Sequence, residues 1–197
     1  MSSEWSESSQ RSSGSGLSHL FEDLEQQAEG LHLVERDAEV RDRSRSEYAE
    51  VTLAARLHAS IGAVVALSVV GVGTVDGTMS RAGEGWCLLE TTLSAQEWLV
   101  PLRAVKRARG LSERAVSAEA RSVVSRLSLR SALRGLADAR TEVVLHHDDG
   151  EQTRGVVVRV GADFVELTAA AAERADRSRP QATDIVPLSR LAAVRCT

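Results

Sequence analysis

The sequence predicts an α+β protein in which two small β-modules are joined, and preceded, by helices. Three observations carry that reading. One spacing is written twice: Gly77, Gly83, Trp86, Leu89 and Val100-Pro101-Leu102 in the first copy, then Gly155, Gly161, Phe164, Leu167 and Val186-Pro187-Leu188 in the second. A heptad of apolar residues precedes the first copy, and an arginine-rich amphipathic stretch separates the two. Spacing that survives while the intervening residues change reports a shared backbone. The resulting organisation is a tail over 1–16, an acidic helix over 17–60, a first module over 61–110, a basic linker helix over 111–140 and a second module over 141–197.

The elements follow in order. Residues 1–16 are half serine and contain no apolar periodicity, which predicts a disordered tail. Leu17, Leu24, Leu31 and Ala38 fall seven apart with Leu20 and Val34 between them, the seam of a two-stranded coiled coil that would dimerise through residues 17–41. Tyr48, Val51, Leu53, Leu57 and Ile61 then cover one side of a helix entering the first module. Strands are expected at Val64 to Val70, Thr74 to Ala82, Trp86 to Glu90, Glu97 to Leu102 and Val105 to Arg109. In the linker, Ser112 reads as an N-cap, followed by a stripe of Val116, Ala120, Val123, Val124, Leu127, Leu133 and Leu136. The second module has strands at Val143 to His146, Thr153 to Val160, Phe164 to Thr168, Asp184 to Leu188 and Ala192 to Cys196. Asp148-Asp149-Gly150 marks a hairpin turn after its first strand, and Ala169 to Thr183 reads as a loop.

Composition narrows the function. Aromatic residues make up only 3% of the chain, so the cores must be aliphatic. The net charge of -4 disfavours a generic polyanion binder, but the charge is unevenly spread. From Pro101 to Arg140 there are ten basic residues and three acidic ones, whereas Leu17 to Val51 holds ten acidic and four basic. Arg126, Arg130 and Arg134 recur every four residues, with Arg121 and Arg114 nearby. Like charges at that spacing repel, which points to an anionic partner. The chain's own acidic helix is preferred, because the two helices carry opposite signs; a nucleic-acid backbone is the second reading. Arg81 and Arg159 match between copies, as do Arg109 and Arg195, and the first pair is a candidate for lining equivalent grooves.

No catalytic constellation, cofactor site or metal site is legible. His146-His147-Asp148-Asp149 sits on a hairpin that explains its own Asp and Gly, and adjacent strand residues point to opposite faces. Cys87 and Cys196 lack a CxxC partner and read as reduced thiols. Gly71-Val72-Gly73 precedes a strand, without the helix N-terminus that a phosphate cradle needs. The uncharged run from Ala59 to Val75 is shorter than the ~20 residues of a spanning helix.

Bent strands, a glycine in the second strand and Val-Pro-Leu before a short last strand together resemble the Sm-like, SH3-type small β-barrels. The second copy is also similar to the PRC-barrel. The resemblance implies two tandem barrels. The Asp-Asn and basic-Gly pairs of RNA-binding Sm-like proteins are not matched: Asp163 is displaced by two residues, Glu166 or Leu167 occupies the Asn position, and Val-Pro-Leu replaces the basic-Gly pair. The expectation is therefore a cytoplasmic, non-enzymatic binding or scaffolding protein with a protein partner, self-association included, and no membrane. The alternative is an RNA- or DNA-binding regulator that uses Arg121, Arg126, Arg130 and Arg134.

Overall fold

A computed structural model describes residues 36, 43, 45–46, 48–91, 96–116, 126–168 and 183–196. The chain forms two compact units, one ending at Glu50 and one beginning at Val51. In the first unit the described residues 36, 43, 45, 46, 48 and 49 are helical. The expected tail, every seam residue of the expected coiled coil, Arg121 with its neighbours over 117–125, and residues 169–182 of the expected loop lie outside the described residues.

The second unit is built on one open antiparallel sheet of ten strands. Its strands are β1 (Val64–Val69), β2 (Gly73–Gly83), β3 (Trp86–Glu90), β4 (Glu97–Pro101), β5 (Val105–Arg109), β6 (Glu142–His147), β7 (Gln152–Val160), β8 (Phe164–Thr168), β9 (Thr183–Pro187) and β10 (Leu191–Cys196). They lie in the order β5-β1-β2-β3-β4-β10-β6-β7-β8-β9. Among the described residues two α-helices accompany them, α1 (Leu53–Ala59) and α2 (Leu129–Asp138).

This architecture corrects the expectation of two small closed barrels. The cause lies at the Val-Pro-Leu corners. Pro101 and Pro187 have nearly the same backbone, φ -64 with ψ 133 and φ -61 with ψ 132, and each caps a 3₁₀ turn. A proline favours such a start because its φ is already fixed and no ladder donor is lost. After the turn the chain leaves the outer edge of the strand it came from: β5 pairs with β1, and β10 with β6. The edge of β4 is left open, and β10 fills it from the other half of the chain through Val194 opposite Leu99, Arg195 opposite Trp98 and Cys196 opposite Glu97.

Local geometry matches between the halves. A Cβ on Gly77 would meet the backbone oxygen of Glu90, and one on Gly155 would meet that of Thr168, so a strand with a side chain there cannot bend over its neighbour. Both β2 and β7 shift register one residue before an arginine, between Met79 and Arg81 and between Val157 and Arg159. The amide of Leu102 donates to the oxygen of Gly85 at 2.8 Å, and that of Leu188 to Asp163 at 2.7 Å.

The helices differ from expectation in extent. Thr52 caps α1 by accepting from the amide of Ala55 at 3.2 Å, and Leu57 is buried beneath it. Ser112 starts no helix. Its carbonyl accepts from Arg56 Nε at 2.8 Å and its amide donates to Ser60 Oγ at 2.9 Å, which ties the segment after β5 to α1 in an irregular conformation. Instead Ser128 caps α2, accepting from the amide of Ser131, and Leu133 fills the space between α2 and β7.

Two aliphatic cores line the sheet, and each takes residues from both halves. The first joins Val65, Leu67, Met79 and Leu89 to Ala192 and Ala193 of β10; the second joins Val143, Leu145, Val157 and Val165 to Trp86 and Leu99. Each buried Val or Leu contributes roughly 1.5–3 kcal/mol relative to an exposed one, so the exchange binds the halves together.

Candidate functional site

Three features of the sheet could carry recognition: the seam where β4 meets β10, the two outer edges, and an arginine-bearing face beside α2. The seam is buried at its centre. Leu99 is 3% exposed and Val194 is fully buried. Trp98 lies over it, with the Arg195 guanidinium 5.8 Å from the ring centre and the His146 ring 5.0 Å away at a tilt of 35°. Burial, then the nearby Arg195 and His147, push the His146 pKa below its ordinary 6.5, so the ring is neutral at neutral pH. Arg103, on the turn after β4, reaches across and donates to the backbone oxygens of Leu188 and Leu191. Burial lowers the Arg103 pKa and Asp148 opposes that shift.

The outer edges are formed by β5 and β9. On β5, Lys106, Arg107 and Arg109 are exposed. On β9, Thr183 and Asp184 are exposed and Ile185 stands 63% exposed, high for an isoleucine in a strand.

The third feature is an open cavity of about 500 Å³ lined by Glu84, Gly85, Leu102, Arg103, Ser128 and Arg130. Beside these residues in the chain, the Trp86 indole donates to the oxygen of Leu127 at 2.8 Å. Arg126, Arg130 and Arg134 are all exposed, the last two one turn apart on α2. The structure therefore places these three expected arginines on one stretch, while Arg121 lies outside the described residues. Arg81 and Arg159 occupy matching positions after their register shifts, but their surroundings differ. Arg159 pairs with Glu166 at 2.8 Å, whereas Arg81 stands opposite Leu88.

The His-His-Asp-Asp run diverges. His146 turns to Trp98, His147 Nε2 contacts Thr153 Oγ1 at 2.9 Å, and Arg190 pairs with Asp148 at 2.9 Å and Asp149 at 3.4 Å. Gly150, at φ 97, closes the hairpin turn expected there. Among the described residues no three His, Cys, Asp or Glu side chains converge as metal ligands. Burial pushes the Cys87 thiol up to about 12, and burial followed by the charge of Glu97 pushes Cys196 up to about 11. Neither is a ready thiolate. Among the described residues no helix is long and apolar enough to cross a membrane.

No family model matches the chain, and no curated protein is similar to it.

Sequence reasoning missed the seam. Trp98 and Arg103 were unassigned and His146 was weighed only as a metal ligand, yet a signal was present: Leu191-Ala192-Ala193-Val194 is apolar on both faces, while its counterpart Val105-Lys106-Arg107-Ala108 is not. A strand apolar on both faces belongs inside a sheet.

Proposed function

We propose that this chain is a non-enzymatic binding or scaffolding protein, made of two copies of one five-stranded module, which docks its partners on the outer edges of the sheet. The observation that carries the reading is Ile185. Its counterpart Leu99 is 3% exposed against β10, while Ile185 is 63% exposed on a strand that, among the described residues, has one free edge. An unpaired edge offers a row of backbone donors and acceptors, and natural proteins blunt such edges unless they are used. Pro187 and Asp184 blunt this one in part; an exposed isoleucine between them does the opposite.

The test is purification of the tagged full chain from its own cells, beside an Ile185→Lys variant of unchanged circular dichroism. A protein recovered in stoichiometric amount with the first and lost with the second is the expected result. Equal recovery with both, or nucleic acid as the macromolecule retained at physiological salt, contradicts the reading.

A second reading, binding of a nucleic-acid backbone, is favoured by the exposure of Arg126, Arg130 and Arg134 beside a cavity that also holds Arg103. A gel shift at physiological salt that disappears when those three become glutamate would establish it in place of the first.

A further inference from the structure

We infer that the partner of the β9 edge is the β5 edge of a second copy of this chain, so that copies associate head to tail through the contact that already joins the two halves. The inference rests on the module reading above and adds the identity of the partner.

The seam supplies the pattern. β10 uses one edge for β6 and the other for β4. β5 pairs with β1 as β10 pairs with β6, residue for residue: Ala66 opposite Arg109 and Leu67 opposite Ala108 in one, Val144 opposite Arg195 and Leu145 opposite Val194 in the other. Both pairings even break register at the same place, between Ser68 and Val69 in β1 and between Leu191 and Ala193 in β10. β9 pairs with β8 as β4 pairs with β3, with Phe164 opposite Pro187 and Trp86 opposite Pro101. The free edge of β5 is thus the edge that β10 gives to β4, and the free edge of β9 is the one β4 gives to β10.

Moving the seam register onto these edges predicts the new pairs without adjustment. Val194 opposite Leu99 becomes Ala108 opposite Ile185 of the next copy; Arg195 opposite Trp98 becomes Arg109 opposite Asp184; Cys196 opposite Glu97 becomes Gly110 opposite Thr183. The register was fixed by backbone pairing alone, yet it places an arginine on an aspartate and covers the exposed isoleucine. Among the described residues neither Arg109 nor Asp184 has an ion-pair partner within the chain. The contact is weaker than the seam, because Ser189 stands where Arg103 clamps, and Asp184 where Trp98 stacks. A contact between two different surfaces of one chain propagates until it closes on itself.

The test is sedimentation of the full chain across a concentration series. Wild type is expected to associate reversibly, less so in high salt. Asp184→Arg alone and Arg109→Asp alone each weaken association at least ~10-fold by setting like charges opposite one another, and the double exchange restores it. A chain that stays monomeric up to the millimolar range, beyond which a contact is worth less than ~4 kcal/mol, overturns the inference. So does association that both single variants leave unchanged, as a contact through residues 17–41 would. Should either charge variant lose its fold, a mixture of Ala108→Cys and Ile185→Cys chains decides: a disulfide between the two different chains is expected, and its absence overturns the proposal. A monomer that still captures a different protein through Ile185 would sink this inference and leave the docking reading standing.

Discussion

β5 and β10 occupy the same place in the two halves, yet one is an outer edge and the other lies in the middle of the sheet. Leu191, Ala192, Ala193 and Val194 of β10 are all buried, because β6 and β4 flank the strand and a core lies on each face. In β5 the matching positions hold Val105, Lys106, Arg107 and Ala108, of which the two basic residues are exposed. Position in the sheet, more than the backbone of the strand, decided which side chains each could carry. Lysine on an edge strand discourages indiscriminate pairing and leaves room for a partner of opposite charge.

The same contrast orders the consequences of mutation. The largest is expected at the seam. Leu99→Ala should destabilise the chain by about 2–5 kcal/mol, as a buried leucine does when its cavity cannot collapse, whereas Ile185→Ala at low protein concentration should change stability by within about 0.5 kcal/mol. Urea unfolding of both variants checks this; equal losses would mean that the two positions do not differ in burial as described.

A pH dependence comes next, and it sharpens the comparison because the counterpart of His146 in the first half is Ser68. The folded chain holds His146 below its ordinary 6.5, so the unfolded state binds the proton first. Its contribution is intact above pH 6.5 and is lost as pH falls through 6.5 towards the lowered folded value. Phenylalanine at 146 keeps the stack on Trp98 and should flatten that part of the stability profile; an unchanged slope would place the proton elsewhere.

Thiol reactivity gives a smaller contrast. Cys87 is fully buried inside the first core and Cys196 is half-buried at the end of the seam. With iodoacetamide at mildly alkaline pH, followed by mass spectrometry, both should react slowly and Cys196 first. The smallest effect is at the surface, where replacing Arg159 or Glu166 by alanine should cost no more than about 1 kcal/mol, since an ion pair with an arginine this exposed is screened.

Much of this could be read from the chain before its structure. All ten strands were legible, because alternation, a hairpin signal and the Val-Pro-Leu corners act over a few residues. Trp86–Glu90, Val105–Arg109 and Phe164–Thr168 were placed to the residue. Closure was not legible, because whether β4 meets β5 or β10 depends on how a three-residue turn redirects the chain, and no local spacing encodes that choice. Ser112 misled for a related reason. Its hydroxyl accepts from the amide of Arg114 at 3.1 Å, a local bond that resembles a cap, but Arg56 and Ser60 hold the segment out of a helix. Of the candidate arginines, Arg130 and Arg134 share α2 and Arg126 precedes it, all three exposed, while the seam trio of Trp98, Arg103 and His146 depends on contacts between distant parts of the chain.

The claim on which the account depends is that β4 and β10 lie side by side, and Cys196 permits a direct check. Because Cys196 stands opposite Glu97, the single substitution Glu97→Cys sets two thiols across the seam. Under mild oxidation at low protein concentration, peptide mapping should find an intramolecular disulfide between positions 97 and 196, with Cys87 still free. A folded chain in which both thiols remain open to alkylation, or in which position 97 joins only other molecules, would show that the halves do not share one sheet.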